Sequence, residues 1–362
     1  MEKVMSGDEG MVTGYMLLAW YDRHRRDLPW RRTRDPYRIW VAEVILQQTR
    51  VVQGTGYYLR FLERFPTVEM LARASEDEVL KVWEGLGYYR RARNMHAAAR
   101  EVVERWHGRF PSSYEVLLTL PGIGPYTAAA VASIAFGEKV PVVDGNVFRV
   151  VTRLHALRLR RGTAGDREVR QRAAAMMPDD RPGDFNQAIM ELGALICLPD
   201  RPACPVCPLA GHCRALEQNL IGELPPSGPP KRTKKRYFHY FLITCCDRIL
   251  LRRRGEEDIW QHLHELPLME TEQEEEPAEV IDRMSLLFPP MRGQAVEVSA
   301  TVRHQLTHRT ILARFYRTAV DRLDPLPEGW EAVPREELAE KTFPRLLGLY
   351  LEKQRILPGT GG

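Results

Sequence analysis

Along the first two thirds of the chain, apolar residues recur at three- and four-residue spacing, and the segments they mark read as a succession of helices. The pattern predicts helices over residues 14–23, from Pro36 to about Arg50, through Leu62, over 75–82, 114–120 and 126–136, from Val147 through Leu154, and over 184–197. Residues 1–10 read as a frayed tail. From Tyr237 the pattern changes to short apolar runs bounded by turn residues. These predict a β-hairpin over 237–246 and 248–252, a strand near 295–301 and a pair of strands around 311–318, with helices over 277–287, 335–338 and 343–353. The stretch between, 218–236, is Pro-rich with a basic end and reads as a linker. The expected organisation is therefore an all-α front region (1–217), a linker (218–236) and an α/β domain (237–362).

At 362 residues the chain is too long for one ordinary core, and 44% apolar content is enough to fill two or three. No 18-residue apolar run is present, and the opening MEKVMSGDEG lacks the basic and apolar parts of a signal peptide, so a cytoplasmic protein without membrane attachment is expected. Six cysteines in that compartment point to a metal or to thiols rather than to disulfides. The net charge of +4 hides a division: 31 Lys+Arg against 26 Asp+Glu in residues 1–217, 5 against 1 in 218–236, and 16 against 21 in 237–362. A basic front and linker suit a polyanion, although a solvated charged face would look the same.

Five stretches carry candidate chemistry. In Leu120-Pro-Gly122-Ile-Gly124-Pro125, a Gly-x-Gly turn joins two helices. Its glycines allow close backbone approach and the free N–H groups opening the second helix favour an anion, while an ordinary αα-hairpin is the alternative. Asp144 stands at a helix start, where it caps the helix and could also face a developing cation. Glu43, between Ala42 and Val44 in a helix, is either on the polar stripe or a buried acid with a raised pKa. The run from Trp83 to Asn94 mixes glycines, aromatics and arginines, which suits phosphate and base stacking or a plain turn between helices. Finally, Cys197, Cys204, Cys207 and Cys213 follow C-x6-C-x2-C-x5-C, four thiolates able to wrap one soft metal centre, with tetrahedral zinc the generic alternative.

The segments LPGIGPYTA and VDGNVFRV resemble the helix-hairpin-helix and catalytic-aspartate signature of the endonuclease III superfamily of base-excision DNA glycosylases. AEVILQQT, the paired-tyrosine loop WEGLGYYRRARN, and the cysteine spacing resemble, within that superfamily, the MutY family of adenine DNA glycosylases, over about residues 20–213 and weakly beyond. The resemblance implies a six-helix hairpin domain, an iron–sulfur domain formed from the N-terminal and 137–217 segments, and a C-terminal Nudix-like domain. It implies a [4Fe-4S] cluster on the four cysteines, and a monomer whose partner is double-stranded DNA carrying adenine opposite 8-oxoguanine or guanine.

The roles implied residue by residue are as follows. Glu43 would protonate the adenine ring and Asp144 would stabilise the oxocarbenium sugar, with Tyr126 and Asn146 beside them, as paired carboxylates do in glycoside hydrolysis. Arg26, Trp30, Arg31, Leu46 and Gln187 would wall the adenine pocket. Gln48 and Tyr88 would enter the duplex, Thr49 and Leu86 would approach the damaged guanine, and Gly122 and Gly124 would hold a phosphate. Leu306-Thr307-His308 falls where the family carries a Phe-Ser-His loop that reads 8-oxoguanine; Thr307 keeps a hydroxyl and His308 the imidazole. The Nudix hydrolase box is missing, since residues 272–276 are five residues of Glu-rich sequence without its pattern, so no pyrophosphatase is expected. A lyase of the superfamily needs a lysine where Tyr126 stands, a thymine-mismatch glycosylase lacks the acid at 43, and a noncatalytic iron–sulfur DNA-binding protein would need neither Glu43 nor Asp144.

Overall fold

The computed structural model describes residues 7–226, 228, 233–256 and 258–358. In chain order the helices are α1 (Gly7–His24), α2 (Pro36–Leu46), α3 (Val51–Arg64), α4 (Val68–Arg73), α5 (Glu76–Trp83), α6 (Arg90–Trp106), α7 (Tyr114–Leu117), α8 (Pro125–Phe136), α9 (Gly145–Leu154), α10 (Thr163–Met176), α11 (Pro182–Leu195) and α12 (Arg214–Glu217). A C-terminal sheet follows. The chain forms two compact units, one of Met1–Arg73 with Asn94–Pro229 and the other of Ala74–Arg93 with Pro230–Gly362.

Helix boundaries in the first unit follow local chemistry. Asp35 caps α2 by accepting the Tyr37 N–H at 2.9 Å, and Pro36 occupies the first position. Contrary to the predicted end near Arg50, α2 stops at Leu46. Gln48 adopts a left-handed φ of 58° and turns the chain into α3, a cost for a non-glycine residue that no glycine in the sequence advertised. Helix α8 opens on Gly124 and Pro125 and closes on Gly137; its residues from Thr127 to Ile134 are all buried, so it is the central helix, packed against α2, α7 and α11. Helix α9 lies against α10, α11 and α12. The expected tail is helical from Gly7, and residues 1–6 lie outside the described residues. Helices α4, α6, α10 and α12 are absent from the expectation.

The second unit is a mixed sheet covered on both faces. Its strands are β1 (Lys234–Cys245), β2 (Arg248–Arg253), β3 (His264–Glu265), β4 (Leu268–Thr271), β5 (Glu297–Val298), β6 (Val302–Gln305), β7 (Arg309–Ala319) and β8 (Trp330–Pro334). The main order is β3-β2-β1-β7-β5, with β4 beside β1, β6 beside β7 and β8 beside β2. Strands β1 and β7 run parallel from Lys234↔Arg309 to Thr244↔Ala319. Alternation along β1 sends Phe238, Tyr240 and Leu242 to one face, under α14 (Arg345–Lys353), and Phe241 and Ile243 to the other, under α13 (Pro277–Leu287).

The predicted β1–β2 hairpin and the 277–287 helix are present. The pair expected around 311–318 is instead the single strand β7, and 295–301 supplies only the two residues of β5. The basic end of the linker, Lys234–Arg236, is already strand, while residues 227 and 229–232 lie outside the described residues. Cys245 and Cys246 read in the sequence as small apolar packing residues; Cys245, the last residue of β1, does pack partly buried against the core on the α13 side, whereas Cys246 is exposed in the hairpin turn with φ 54°.

Residues 74–93, which the helical pattern joins to the front region, pack with the C-terminal unit. Lys81 Nζ donates to the Lys341 carbonyl at 2.9 Å, Glu84 accepts the Phe343 N–H at 3.1 Å, Tyr89 donates to the Phe343 carbonyl at 3.3 Å, and Arg93 donates to the Gln261 carbonyl at 2.9 Å.

Candidate active site

Three helices of the first unit bring the predicted acids together. Glu43 projects from the middle of α2 and is buried, which decides between the two readings of its sequence position. Tyr126, in the first turn of α8, donates its hydroxyl to Glu43 Oε2 at 2.6 Å and lies 3.2 Å from the Met190 sulfur of α11. Burial pushes the Glu43 carboxyl up to about 7; the Tyr126 bond and Arg31 oppose this, and the Asp144 charge adds to it. Burial, with Glu43 and Asp144 adding to it, drives the Tyr126 hydroxyl well above its ordinary value, so it stays a donor.

Asp144 does what an N-cap does: Oδ1 accepts the Val147 N–H at 2.7 Å and Oδ2 accepts the Asn146 side-chain amide at 3.0 Å. Burial raises its pKa too, but the Val147 and Asn146 donors counter the effect. Burial raises both carboxyls, and Asp144 is the one with amide donors that favour its ionised form. Asn146 is itself fixed, because its carbonyl accepts Arg149 Nη2 at 2.9 Å, and Arg149 also donates to the Gly193 carbonyl at 2.8 Å. A Cβ at Gly193 would sit 2.5 Å from that of Asn146, so α11 can approach α9 this closely only with glycine there.

Of the predicted pocket residues, Arg31 stands close enough to Glu43 to act on its charge. Arg26 and Arg31 both bind Glu191 of α11, whose side chain is fully buried. Although burial alone would raise it, Arg31 and Arg26 hold the Glu191 carboxyl down at about 2. Gln187, one turn earlier on α11, accepts the Tyr21 hydroxyl at 3.2 Å. Trp30 is buried edge-on against Tyr58, and Leu46 packs on Gly54. The sequence pattern pointed to neither Glu191 nor Met190; the signal available was an acid alone among apolar residues in AIMELGAL.

The hairpin Leu120–Pro125 has the expected form. Gly122 takes φ 73° and a Cβ there would lie 2.5 Å from the Asn94 side chain, so the turn requires glycine on two counts. Gly124 has open space before it at the start of α8. Gln48 is exposed and Thr49 half-buried at the α2–α3 turn.

Within the second unit, a cleft of about 640 Å³ is lined by Leu86, Tyr88, Trp260, His304, Thr307 and His308, among others. Tyr88, exposed and at φ 48°, hydrogen-bonds the Thr307 hydroxyl, so the two loops singled out in the sequence meet here. His308 is exposed.

The four loop cysteines are free thiols. Burial, with smaller contributions from Cys197, Cys213 and Cys204 and against the Leu209 backbone N–H, pushes Cys207 up to about 11, so the sulfurs face one another electrostatically. Arg153 Nη1 donates to Cys197 Sγ at 3.5 Å and to the Leu198 carbonyl at 2.6 Å, anchoring the loop to α9. Among the described residues no three His, Cys, Asp or Glu side chains stand in metal-holding geometry. The all-thiol donor set and its mutual repulsion nevertheless fit a soft, cationic centre.

The fold and site together define a base-excision repair protein of the helix-hairpin-helix type: residues 41–178 match the HhH-GPD superfamily of base excision DNA repair proteins, and residues 239–353 match the NUDIX domain. The chain is 31% identical over 268 residues to the adenine DNA glycosylase of Buchnera aphidicola subsp. Acyrthosiphon pisum, covering 73% of this chain and 76% of that one. It belongs to the adenine DNA glycosylase family. To the adenine DNA glycosylase of Homo sapiens it is 46% identical over 233 residues, 61% of this chain but only 43% of that one, so it spans about two fifths of the length of that relative. A thermostable thymine-DNA glycosylase superposes with a TM-score of 0.54 at 31% identity, over 58% of this chain and 97% of that one. A non-covalent endonuclease III–DNA complex gives 0.52 at 23% identity, over 60% and 99%, a likeness of fold. No helix among the described residues is long and apolar enough to cross a membrane.

Proposed function

We propose that this chain, acting as a monomer, flips adenine out of a mispair with 8-oxoguanine or guanine in duplex DNA and hydrolyses its N-glycosidic bond. The observation that carries this is Glu43: a buried carboxyl pushed up to about 7, held by Tyr126 and set beside a capped Asp144. With Oε2 occupied by the Tyr126 hydroxyl, Oε1 is left to carry the proton to an adenine ring nitrogen. Adenine then leaves as a neutral base, the sugar becomes an oxocarbenium ion, Asp144 stabilises it, and water completes the substitution. Flipping costs a few kcal/mol, least at a mispair, and Gln48, in left-handed backbone at an exposed turn, is suited to fill the vacated space. Single-turnover cleavage of duplexes carrying adenine opposite 8-oxoguanine, guanine, cytosine or thymine tests the assignment. Excision confined to the first two supports it, and no release of adenine from any of them overturns it.

Cys197, Cys204, Cys207 and Cys213 would hold a [4Fe-4S] cluster, which supplies a rigid cross-link and neutralises the crowded thiolates rather than taking part in bond cleavage. The purified protein is expected to be brown, with about four irons per chain. A colourless protein with stoichiometric zinc would assign the loop to zinc.

Recognition of the oxidised guanine belongs, on this reading, to the cleft where Thr307 meets Tyr88. Deleting the C-terminal domain is a poor test, because it would strip residues 74–93 of their partners. Changing Thr307 and His308 together to alanine should instead lower the preference for 8-oxoguanine over guanine several-fold to tenfold, at about 1 kcal/mol per hydrogen bond lost. An unchanged ratio in single-turnover assays would move recognition to Thr49, Leu86 and Tyr88.

A further inference from the structure

One acid in the wall of the site has no part in the chemistry just described. Glu191 lies one turn beyond Gln187 on α11, so both side chains share the face turned toward the site. Its side chain is wholly buried, and its carboxylate is saturated by two arginines. Oε1 accepts the Arg26 backbone N–H and Nε, each at 2.9 Å, and Arg31 Nη1 at 2.8 Å; Oε2 accepts Arg31 Nη2 at 2.9 Å and Arg26 Nη2. Arg31 also donates to the Arg26 carbonyl at 3.1 Å and stands 5.5 Å from the Tyr21 ring. The segment before α2 has no regular structure beyond the short turn Pro29–Arg32, and Glu191 ties it to the helical unit together with Trp30 against Tyr58 and Arg34 on the Ile134 carbonyl.

The same carboxylate balances charge. Glu43 is faced by Tyr126 from α8, Asp144 from the start of α9 and Arg31 from the Pro29–Arg32 turn. Arg31 is the cation among them, and a cation beside a buried carboxyl favours its ionised form. Arg31 is faced in turn by Glu191 from α11 and by Tyr21 from α1. With Glu191 present the triad carries one net positive charge shared between two guanidiniums; without it, two bare cations would line the wall.

We propose that Glu191 is a positioning residue of this site: it clamps Arg26 and Arg31 into the pocket wall and keeps the Arg31 charge from drawing the proton off Glu43. The proposal rests on the acid role given to Glu43 above. It separates two jobs, geometry and charge, that two substitutions of the full chain can divide.

Glu191→Gln keeps the shape and removes the charge. The alkaline midpoint of single-turnover adenine excision should fall by about one pH unit, so that the variant is roughly tenfold slower than wild type at about pH 8 but only about twofold slower at about pH 6. Glu191→Asp keeps the charge and shortens the reach. Its midpoint should match wild type while excision slows several-fold at every pH, with duplex affinity unchanged. The Glu43 carboxyl carbon, assigned by its loss in Glu43→Gln, can be titrated by NMR in wild type and Glu191→Gln without any turnover, and should show the same downward shift. A wild type that excises no adenine would sink the functional assignment and leave that titration to judge Glu191. A folded Glu191→Gln whose Glu43 midpoint is unchanged overturns the proposal; should that variant not fold, an Asp variant with the wild-type rate overturns it equally.

Discussion

Asp144→Asn is expected to bind mispaired duplex within about threefold of wild type and to excise adenine at least about a thousandfold more slowly. The side chain has two tasks that the substitution separates. As a cap it needs one oxygen for the Val147 N–H, and asparagine retains it. As the counter-charge to a sugar cation it needs the full negative charge, and in a buried site that charge acts through little screening. The structure adds a cost that the sequence did not suggest. Asp144 Oδ2 accepts the Asn146 amide, and Asn146 cannot simply turn over, because its own oxygen is engaged by Arg149. An asparagine at 144 therefore brings two NH2 groups face to face, or gives up the cap. That conflict should cost about 1–2 kcal/mol and lower the melting temperature by a few degrees. The loss of rate far exceeds what such a change in stability can produce, and a gel-shift assay beside a single-turnover assay distinguishes them. Excision within about tenfold of wild type would take the cation-stabilising role away from Asp144.

What the sequence revealed and what it hid divide along a physical line. The hairpin at Leu120–Pro125, the Asp144 cap and the helix starts at Pro36 and just after Gly124 were legible, because glycine, proline and aspartate act on their immediate neighbours. The end of α2 was misplaced because the left-handed turn falls on Gln48, a residue with no local bias toward it. Glu43 could not be assigned to surface or interior from its spacing, since its burial is decided by where α8 packs on α2. The clamp on Arg26 and Arg31 was invisible for the same reason: its acceptor lies 160 residues from Arg31 in the chain. The parallel pairing of β1 with β7 and the attachment of residues 74–93 to the C-terminal unit are likewise long-range facts. The resemblance carried the acids across this gap, but it named neither Glu191 nor the contact between Tyr88 and Thr307.

Glu43→Gln should abolish excision and, above neutral pH, make the protein more stable than wild type. In the folded chain this carboxyl titrates at about 7 rather than at its ordinary 4.5, chiefly because burial penalises the ionised form. A raised pKa means that the folded state holds the proton more tightly than the unfolded chain does. The stabilisation this confers is complete below about pH 4.5, declines as the pH rises, and is gone above about 7, where an ionised carboxylate remains in a buried site. Glutamine keeps the shape and an acceptor for the Tyr126 hydroxyl but never ionises, so the gap between variant and wild type opens through this window. Its ceiling is about 3 kcal/mol, the equivalent of a rise from 4.5 to about 7. Melting curves of both proteins at about pH 5 and about pH 8 measure it. Over the same range wild-type excision should fall about tenfold per pH unit above about 7 as the acid loses its proton, while the variant, with no proton to give, stays inactive throughout. Equal melting differences at the two pH values would show that Glu43 is solvated when it ionises, and the proton for adenine would then have to come from elsewhere.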